Sequence, residues 1–146
     1  MLFIAVVIFG YMSLLVGLAV ASPGIGATGM LISVVPDDWR DWAHVPAYGL
    51  LASLTIQGFS MRGWPMPYAM LCGLMLTVMF GLGTEVAQGF APGREASLQD
   101  VLKDTMGGVM AAMPMWWHHR ASQSRPYWLL LRASSATRLM KGTLSR

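Results

Sequence analysis

Residues 1–21 contain no charged side chain, and they constrain the fold more than any other stretch. An uncharged apolar run of this length is sufficient for an α-helix to cross the hydrocarbon core of a bilayer. A cleaved signal peptide is the alternative, because Ala19-Val20-Ala21 resembles a cleavage site. No Lys or Arg precedes the apolar run, however, and this favours a retained first membrane span.

The composition of the whole chain points to the same environment. Hydrophobic residues make up 55% of the 146 residues and charged residues only 12%, about half of the charged share of a soluble domain. A single small domain of this length could not enclose so many apolar side chains in a soluble core. The sixteen Gly fit helices that pack closely in lipid. We therefore predict an integral membrane protein.

Three further segments have the length and hydropathy of membrane spans. They run from about Trp42 to Met61, from about Pro67 to Gln88, and from Ser97 to Trp117. The predicted fold is all-α, a polytopic bundle of four transmembrane helices over residues 1–120. Between the first two spans, four helix-breaking residues are expected to interrupt any helix, and residues 30–35 are expected to lie in the interface or to form a short extended segment. These four are Pro23, Gly24, Gly26 and Gly29.

The C-terminal tail indicates the orientation in the membrane. Residues 118–146 hold six of the ten basic residues and no acidic residue. By the positive-inside rule this tail is cytoplasmic. Four spans then place the N-terminus in the cytoplasm as well, so both termini are expected on the cytoplasmic side of the membrane. Within residues 121–146 a helical stripe predicts a C-terminal interfacial helix, with a frayed tail as the alternative. The stripe consists of Leu129, Ala133, Ala136 and Met140.

Four of the seven acidic residues lie between Thr84 and Gly108, beside the ends of predicted spans. Carboxylates in this position are expensive to desolvate and require partners or water. Because three predicted helices end on the same outer face, we expect their polar side chains to meet there. Arg94 is expected to pair with one of the carboxylates or to bind a phosphate. The predicted polar site comprises Asp41, His44, Tyr48, Glu85, Gln88, Arg94, Ser97, Asp100, Asp104 and Gly107.

Spacing places several of these residues on common helix faces. Asp41, His44 and Tyr48 recur at i, i+3 and i+7, which predicts one side of the second span. Ser97 is expected to cap the fourth span with Asp100 at the third helical position. Lys103 is interpreted as a solvated or snorkelling charge. Small residues below the acidic ones form two pairs through which the fourth helix can approach a neighbour closely. These pairs are Gly107/Ala111 and Gly108/Ala112.

The motif residues resemble the hallmark of a known family. The run Glu85-x-x-Gln88, Pro92-x-Arg94, Ser97-x-x-Asp100 and Gly107 is similar to the signature of the VanZ-like family of small multi-span membrane proteins. The preceding Asp41, His44 and Tyr48 resemble its first motif. Asp104 stands where the family usually has Asn. The resemblance implies a membrane bundle and placement of the motif on its outer face.

Two classes of function follow from these residues. In the first, the polar site binds or processes the head group of a membrane lipid that carries an envelope component. Its catalytic candidates would be His44 as general base, Glu85 or Asp100 as the group that orients it, and Arg94 as the charge stabiliser. In the second, the chain is an accessory subunit of a larger membrane complex, and the polar cluster only joins the helices. Metal binding by His44 with Asp100 and Asp104, or tetrapyrrole binding by His44, is conceivable but has no motif in its support, so the cofactor is left open. We expect no nucleic-acid partner.

Overall fold

A computed structural model of the chain describes residues 2–22, 24–92 and 95–123, with the side chain of Asp37 excepted. This part of the chain is helical and contains no strand, which confirms the all-α class. The helices are α1 (Leu2–Val20), α2 (Gly26–Val34), α3 (Asp37–Trp42), α4 (His44–Ser60), α5 (Met66–Gln88) and α6 (Leu98–Gln123). The predicted interfacial helix falls mostly on residues 124–146, which lie outside the described residues.

Within the described residues, two helices are long and apolar enough to cross a membrane. They are α1, with 19 residues, and α5, with 23 residues, which correspond to about 28 and 35 Å of helix. Both lengths match a hydrocarbon core of about 30 Å. The 17 residues of α4 give about 26 Å of helix, which is shorter than this hydrocarbon core. The last helix, α6, carries Asp100, Lys103 and Asp104 near its start. The four-span arrangement therefore remains a prediction.

The described residues divide into two compact units, with the division between Met115 and Trp116. In the first unit, α1, α4 and α5 pack against one another. Their common core forms around Leu15, Tyr48 and Leu51, with Phe80 packed against it. In the second unit, the Arg120 guanidinium lies 4.7 Å from the centre of the Trp116 ring. Because Tyr48 is a core residue and also belongs to the predicted polar site, the site adjoins the core of the first unit.

Glycine allows α4 and α6 to approach each other backbone to backbone. A β-carbon on Gly107 would overlap the Val45 carbonyl oxygen and would lie 3.1 Å from the Gly49 amide nitrogen. A β-carbon on Gly49 would lie 3.1 Å from the Gly107 carbonyl oxygen, so the two glycines face each other. This contact uses one of the small-residue pairs predicted from the sequence, because Ala111 also lies beside Gly49. It fixes the position of α6 next to the start of α4.

The segment between α1 and α4 differs from the sequence-based expectation. Gly29 was expected to break a helix, yet it lies inside α2, where the absence of a side chain admits the Ser22 carbonyl oxygen. Gly24 and Gly26, which have positive φ angles, instead form the turn that leads into this helix. Residues 30–34 are thus helical rather than extended. Where one helix was expected to start near Trp42, α3 ends there and α4 begins at His44.

Pro46 explains this break between α3 and α4. A proline has no N–H to donate to the carbonyl four residues before it, and its ring clashes with that carbonyl. The carbonyl in question is that of Trp42, the last residue of α3. As a consequence, Asp41 and His44 belong to different helices. Asp41 and His44 nevertheless both reach α6, where Asp41 pairs with Lys103 and His44 with Asp104.

Candidate functional site

A histidine and an aspartate from distant parts of the chain form the centre of the site. His44 Nδ1 lies 2.9 Å from Asp104 Oδ1. Since a carboxylate offers only acceptors, the imidazole Nδ1–H donates this hydrogen bond, and Nε2 carries the lone pair. The Asp104 side chain is 0% exposed and the His44 side chain 17% exposed. A buried carboxylate therefore fixes the orientation and tautomer of a histidine that remains accessible.

Two further hydrogen bonds position Tyr48, whose ring packs against His44. The Tyr48 hydroxyl lies 2.5 Å from Thr84 Oγ1, and Thr84 Oγ1 donates its proton to the Gly81 carbonyl oxygen at 2.8 Å. Thr84 has only one hydroxyl proton, so Tyr48 must be the donor in the first bond. The Tyr48 ring stacks on the His44 ring with 4° between their planes and 6.0 Å between their centres. The His44 ring is thus held on its Nδ1 edge and on one face.

Glu85 supports the N-terminal end of α6. Its Oε2 accepts a hydrogen bond of 2.7 Å from the Ser97 amide N–H, immediately before the helix starts. The first amides of a helix have no intrahelical acceptor, and a carboxylate is favoured there. The sequence predicted that Asp100 would play this part for Ser97. Asp100 instead accepts a hydrogen bond of 2.7 Å from Lys103 Nζ, so the acidic half of the predicted cap comes from α5.

Lys103 is also an ion-pair partner rather than a solvated charge. Besides Asp100, its Nζ lies 3.5 Å from Asp41 Oδ2. The Lys103 side chain is 19% exposed, whereas that of Asp41 is 57% exposed. This cluster joins α3 to α6 at the edge of the site. Within this cluster the carboxylates of Asp41 and Asp100 pair with the lysine, whereas His44 pairs with Asp104.

Two buried carboxylate oxygens have no hydrogen-bond partner among the described residues, Glu85 Oε1 and Asp104 Oδ2. Both residues lie at the contact between α5 and α6. A β-carbon on Gly81 would lie 2.7 Å from Asp104 Oδ2, so only glycine leaves room for this carboxylate. Buried acceptors without partners are uncommon and destabilising. They are typical of sites at which a polar side chain serves more than the stability of the fold.

A cavity of about 390 Å³ adjoins His44. Its size falls within the range of about 300–1,000 Å³ that is usual for small-molecule sites. Apolar side chains from the segments α1 to α4 make most of its wall, and four polar side chains contribute to it. The apolar residues include Leu15, Leu18, Ala19, Ile32 and Val35, and the polar ones besides Tyr48 are Arg40, His44 and Gln88. The site thus combines an apolar chamber with a positioned histidine.

The structure brings together most, but not all, of the predicted site residues. His44 bonds to Asp104, Ser97 bonds to Glu85, and Tyr48 stacks on His44. Gln88 lines the adjoining cavity. Gly107 serves the contact between α4 and α6. Arg94 lies outside the described residues, and so does its predicted ion pair.

Sequence reasoning missed three contributors to the site, namely Arg40, Thr84 and the ion-pairing role of Lys103. Lys103 was recognisable, because it follows Asp100 by three residues on one helix and such pairs are neighbours. Thr84 and Arg40 gave no such signal, since their roles depend on how separate helices face each other. The group that orients His44 is Asp104, whereas Glu85 or Asp100 was expected.

Among the described residues, no group of three or more His, Cys, Asp or Glu side chains is arranged to hold a metal ion. His118 and His119 follow one another on α6, and His119 Nε2 lies 2.9 Å from Gln123 Nε2. Comparisons of the chain with protein-family models, with curated proteins and with solved structures find no match. The resemblance to the VanZ-like family therefore remains a prediction from the motif residues.

Proposed function

We propose that the chain is a VanZ-like protein of the bacterial inner membrane that binds the polar head of a lipid-linked envelope component. In this proposal α1, α4, α5 and α6 cross the membrane, and both termini are cytoplasmic. The start of α4 and the turn between α5 and α6 then lie at the outer face, where His44 and Glu85 are found. Two helices of spanning length and a basic tail support this placement.

The observation that carries the proposal is the position of His44 between Asp104 and the cavity. Its Nδ1–H is committed to Asp104 at 2.9 Å, so Nε2 is the ring nitrogen that is available to a ligand. His44 also lines the apolar cavity of about 390 Å³. A polar group beside an apolar chamber matches the two chemical parts of a lipid, a head that forms hydrogen bonds and a hydrocarbon chain.

The same geometry defines what His44 would contribute to a reaction at this head group. With Nδ1–H donated to a buried carboxylate, Nε2 would accept a proton from an attacking water or hydroxyl. Asp104 would act as a positioning residue, because it holds the imidazole and does not face the cavity. Binding is the primary proposal, and proton transfer is the chemistry that the pair could add to it.

The decisive variant removes Nε2 while it keeps the bond to Asp104. His44→Asn retains an N–H donor close to the position of Nδ1 but has no second ring nitrogen. We expect polymer-extracted membrane discs of the wild-type chain to contain an enriched lipid in native mass spectrometry. His44→Asn should lose this enrichment with little change in thermal unfolding, and His118→Asn is the matched control, since His118 lies on the other compact unit.

Retention of the same lipid by His44→Asn, at the wild-type level, would overturn the proposed head-group site. Copurification of a stoichiometric partner protein, unaffected by the substitution and without any enriched lipid, would support the accessory-subunit alternative instead. Extraction in native membrane discs matters here, because detergent would compete for an apolar cavity.

A further inference from the structure

We propose that the cavity beside His44 encloses the single hydrocarbon chain of a lipid phosphate, with the phosphate held at Arg40 and His44. This inference rests on the proposed function and extends it in two respects. It places the hydrocarbon chain inside the protein, and it specifies the chemistry of the head. The cavity lies within the first compact unit, where all of its lining residues are found.

The wall of the cavity suits a hydrocarbon chain that enters from the surrounding membrane. Leu18 on α1 and Val35 after α2 line the cavity, yet they are also 42% and 43% exposed. The cavity therefore reaches the surface beside these two side chains. The outer surfaces of α1 and α2 are themselves apolar, with Leu14 and Leu31 55% and 74% exposed. The hydrocarbon chain of a lipid could pass from the bilayer into the cavity without crossing a polar surface.

The polar end of the cavity suits an anionic head. Arg40 lines it and supplies a permanent positive charge with planar donors that match phosphate oxygens. His44 Nε2 can accept a hydrogen bond from the hydroxyl of a phosphate that carries a proton. The Gln88 amide adds a further donor for the phosphate oxygens. The carboxylates of Asp41 and Asp100 are paired with Lys103, and their repulsion of an anion is reduced by that charge.

The volume of the cavity favours one chain over two. At about 390 Å³ it lies near the lower end of the range of roughly 300–1,000 Å³ found for small-molecule sites. A two-chain phospholipid would have to leave one of its chains outside. We therefore commit to a lipid that carries one chain for each phosphate.

A second apolar cavity provides an internal control. It has a volume of about 240 Å³ and lies toward the opposite ends of α1 and α4, where Ala5 and Ile8 line it. Arg62 also lines this cavity, but no histidine or carboxylate does so among the described residues. It therefore offers apolar surface and a cation without the pair formed by His44 and Asp104. Ala5→Phe fills this second cavity. Ala47→Phe makes the same substitution in the cavity beside His44, so the two variants form a matched pair.

The experiment uses the full-length chain in phosphatidylcholine nanodiscs and dodecyl phosphate with a photoreactive diazirine at the end of its chain. After irradiation, labelled peptides are identified by mass spectrometry. We expect labels in residues 15–19 and 32–35, which contribute to the cavity wall. Ala47→Phe should reduce this labelling about tenfold or more, and Ala5→Phe should leave it unchanged.

Two further comparisons test the head and guard against a misfolded variant. Arg40→Gln should lower the affinity for dodecyl phosphate about tenfold, as expected for the loss of a charge-assisted hydrogen bond. Dodecanol, which has the same chain without the charge, should bind the wild type about tenfold more weakly. If Ala47→Phe does not fold, Leu18→Trp fills the cavity at its partly exposed wall and should have the same effect.

Each outcome decides between the two proposals. The proposed site for the hydrocarbon chain would be overturned if the labels spread over the exposed face of α5. It would also be overturned if neither Ala47→Phe nor Leu18→Trp changed the labelling. If a two-chain phosphatidate binds the cavity wall at residues 15–19 and 32–35 as tightly as dodecyl phosphate does, the single-chain assignment is refuted. If His44→Asn removes the native lipid while Ala47→Phe and Leu18→Trp do not, the head-group site stands and only the chain placement is wrong. If none of the three removes it, both proposals fail.

Discussion

Substitution of Gly107 by alanine tests the close contact on which the site depends. The added β-carbon would overlap the Val45 carbonyl oxygen and lie 2.9 Å from its carbonyl carbon. Ordinary contacts begin at 3.4 Å, so α4 and α6 must separate by at least 0.5 Å, since neither backbone can rotate away. Overpacking of this kind destabilises by about 1–3 kcal/mol, and the better helix propensity of alanine offsets at most about 1 kcal/mol.

The separation should also reach the site itself. Asp104 lies one turn before Gly107, and its bond to His44 is 2.9 Å long. Lengthening by 0.5 Å would carry it beyond the roughly 3.2 Å of an ordinary N–H to oxygen bond. We expect a net loss of about 1–2 kcal/mol in unfolding free energy, measured by sodium dodecyl sulfate titration with tryptophan fluorescence, together with weaker lipid retention.

Gly83→Ala is the matched control, because no atom beyond its chain neighbours and the nearby backbone of α5 lies within 4 Å of the β-carbon that it would add. This variant should be unchanged or more stable by up to about 1 kcal/mol, since alanine favours the helix. Equal stability of the Gly107→Ala and Gly83→Ala variants would refute the packing of α6 against the start of α4. Greater stability of Gly107→Ala would refute it more strongly.

Two further substitutions test the hydrogen-bonded cluster. Asp104→Leu leaves the His44 donor unpaired, and we expect it to cost about 3 kcal/mol or less in unfolding free energy. Asp104→Asn keeps an acceptor for His44 and removes a buried charge, so it should be far less destabilising. Equal losses of the two variants in detergent melting would contradict the hydrogen bond between His44 and Asp104. Thr84→Val leaves the Tyr48 hydroxyl without its acceptor and should cost about 1–3 kcal/mol. The double variant Tyr48→Phe, Thr84→Val should cost less than the sum of the single changes, and strict additivity in this cycle would show that the two hydroxyls do not interact.

The sequence was sufficient for features that depend on one segment at a time. The ends of α1 and α5 were predicted to within about one residue, because long apolar runs and their boundaries are directly visible in hydropathy. The small residues Gly107 and Ala111 also predicted a close helix contact correctly. In both cases the physical cause, apolar length or missing side-chain volume, is a property of the segment itself.

Features that depend on the register between helices could not be read in this way. His44 bonds to Asp104, which is 60 residues distant, and several acidic residues were equally plausible partners before α4 and α6 were placed. The helix break before His44 was not predicted, because hydropathy does not show that Pro46 has no N–H to donate to the Trp42 carbonyl. Gly29 was misread because its neighbour is the Ser22 backbone, which no local pattern shows.

The most direct test of the central claim, a bundle whose polar site lies at the outer face, is the sidedness of single cysteines in intact cells. Cys72 is the only native cysteine and is replaced by serine. New cysteines are then placed at Met61 and Phe90, which are 59% and 86% exposed, and at Ser122, which is also exposed. A membrane-impermeant maleimide should label Phe90→Cys from outside, and Met61→Cys and Ser122→Cys only after the cells are opened. Labelling of Met61→Cys and Phe90→Cys from the same side would contradict the account, because α5 would then not cross the membrane.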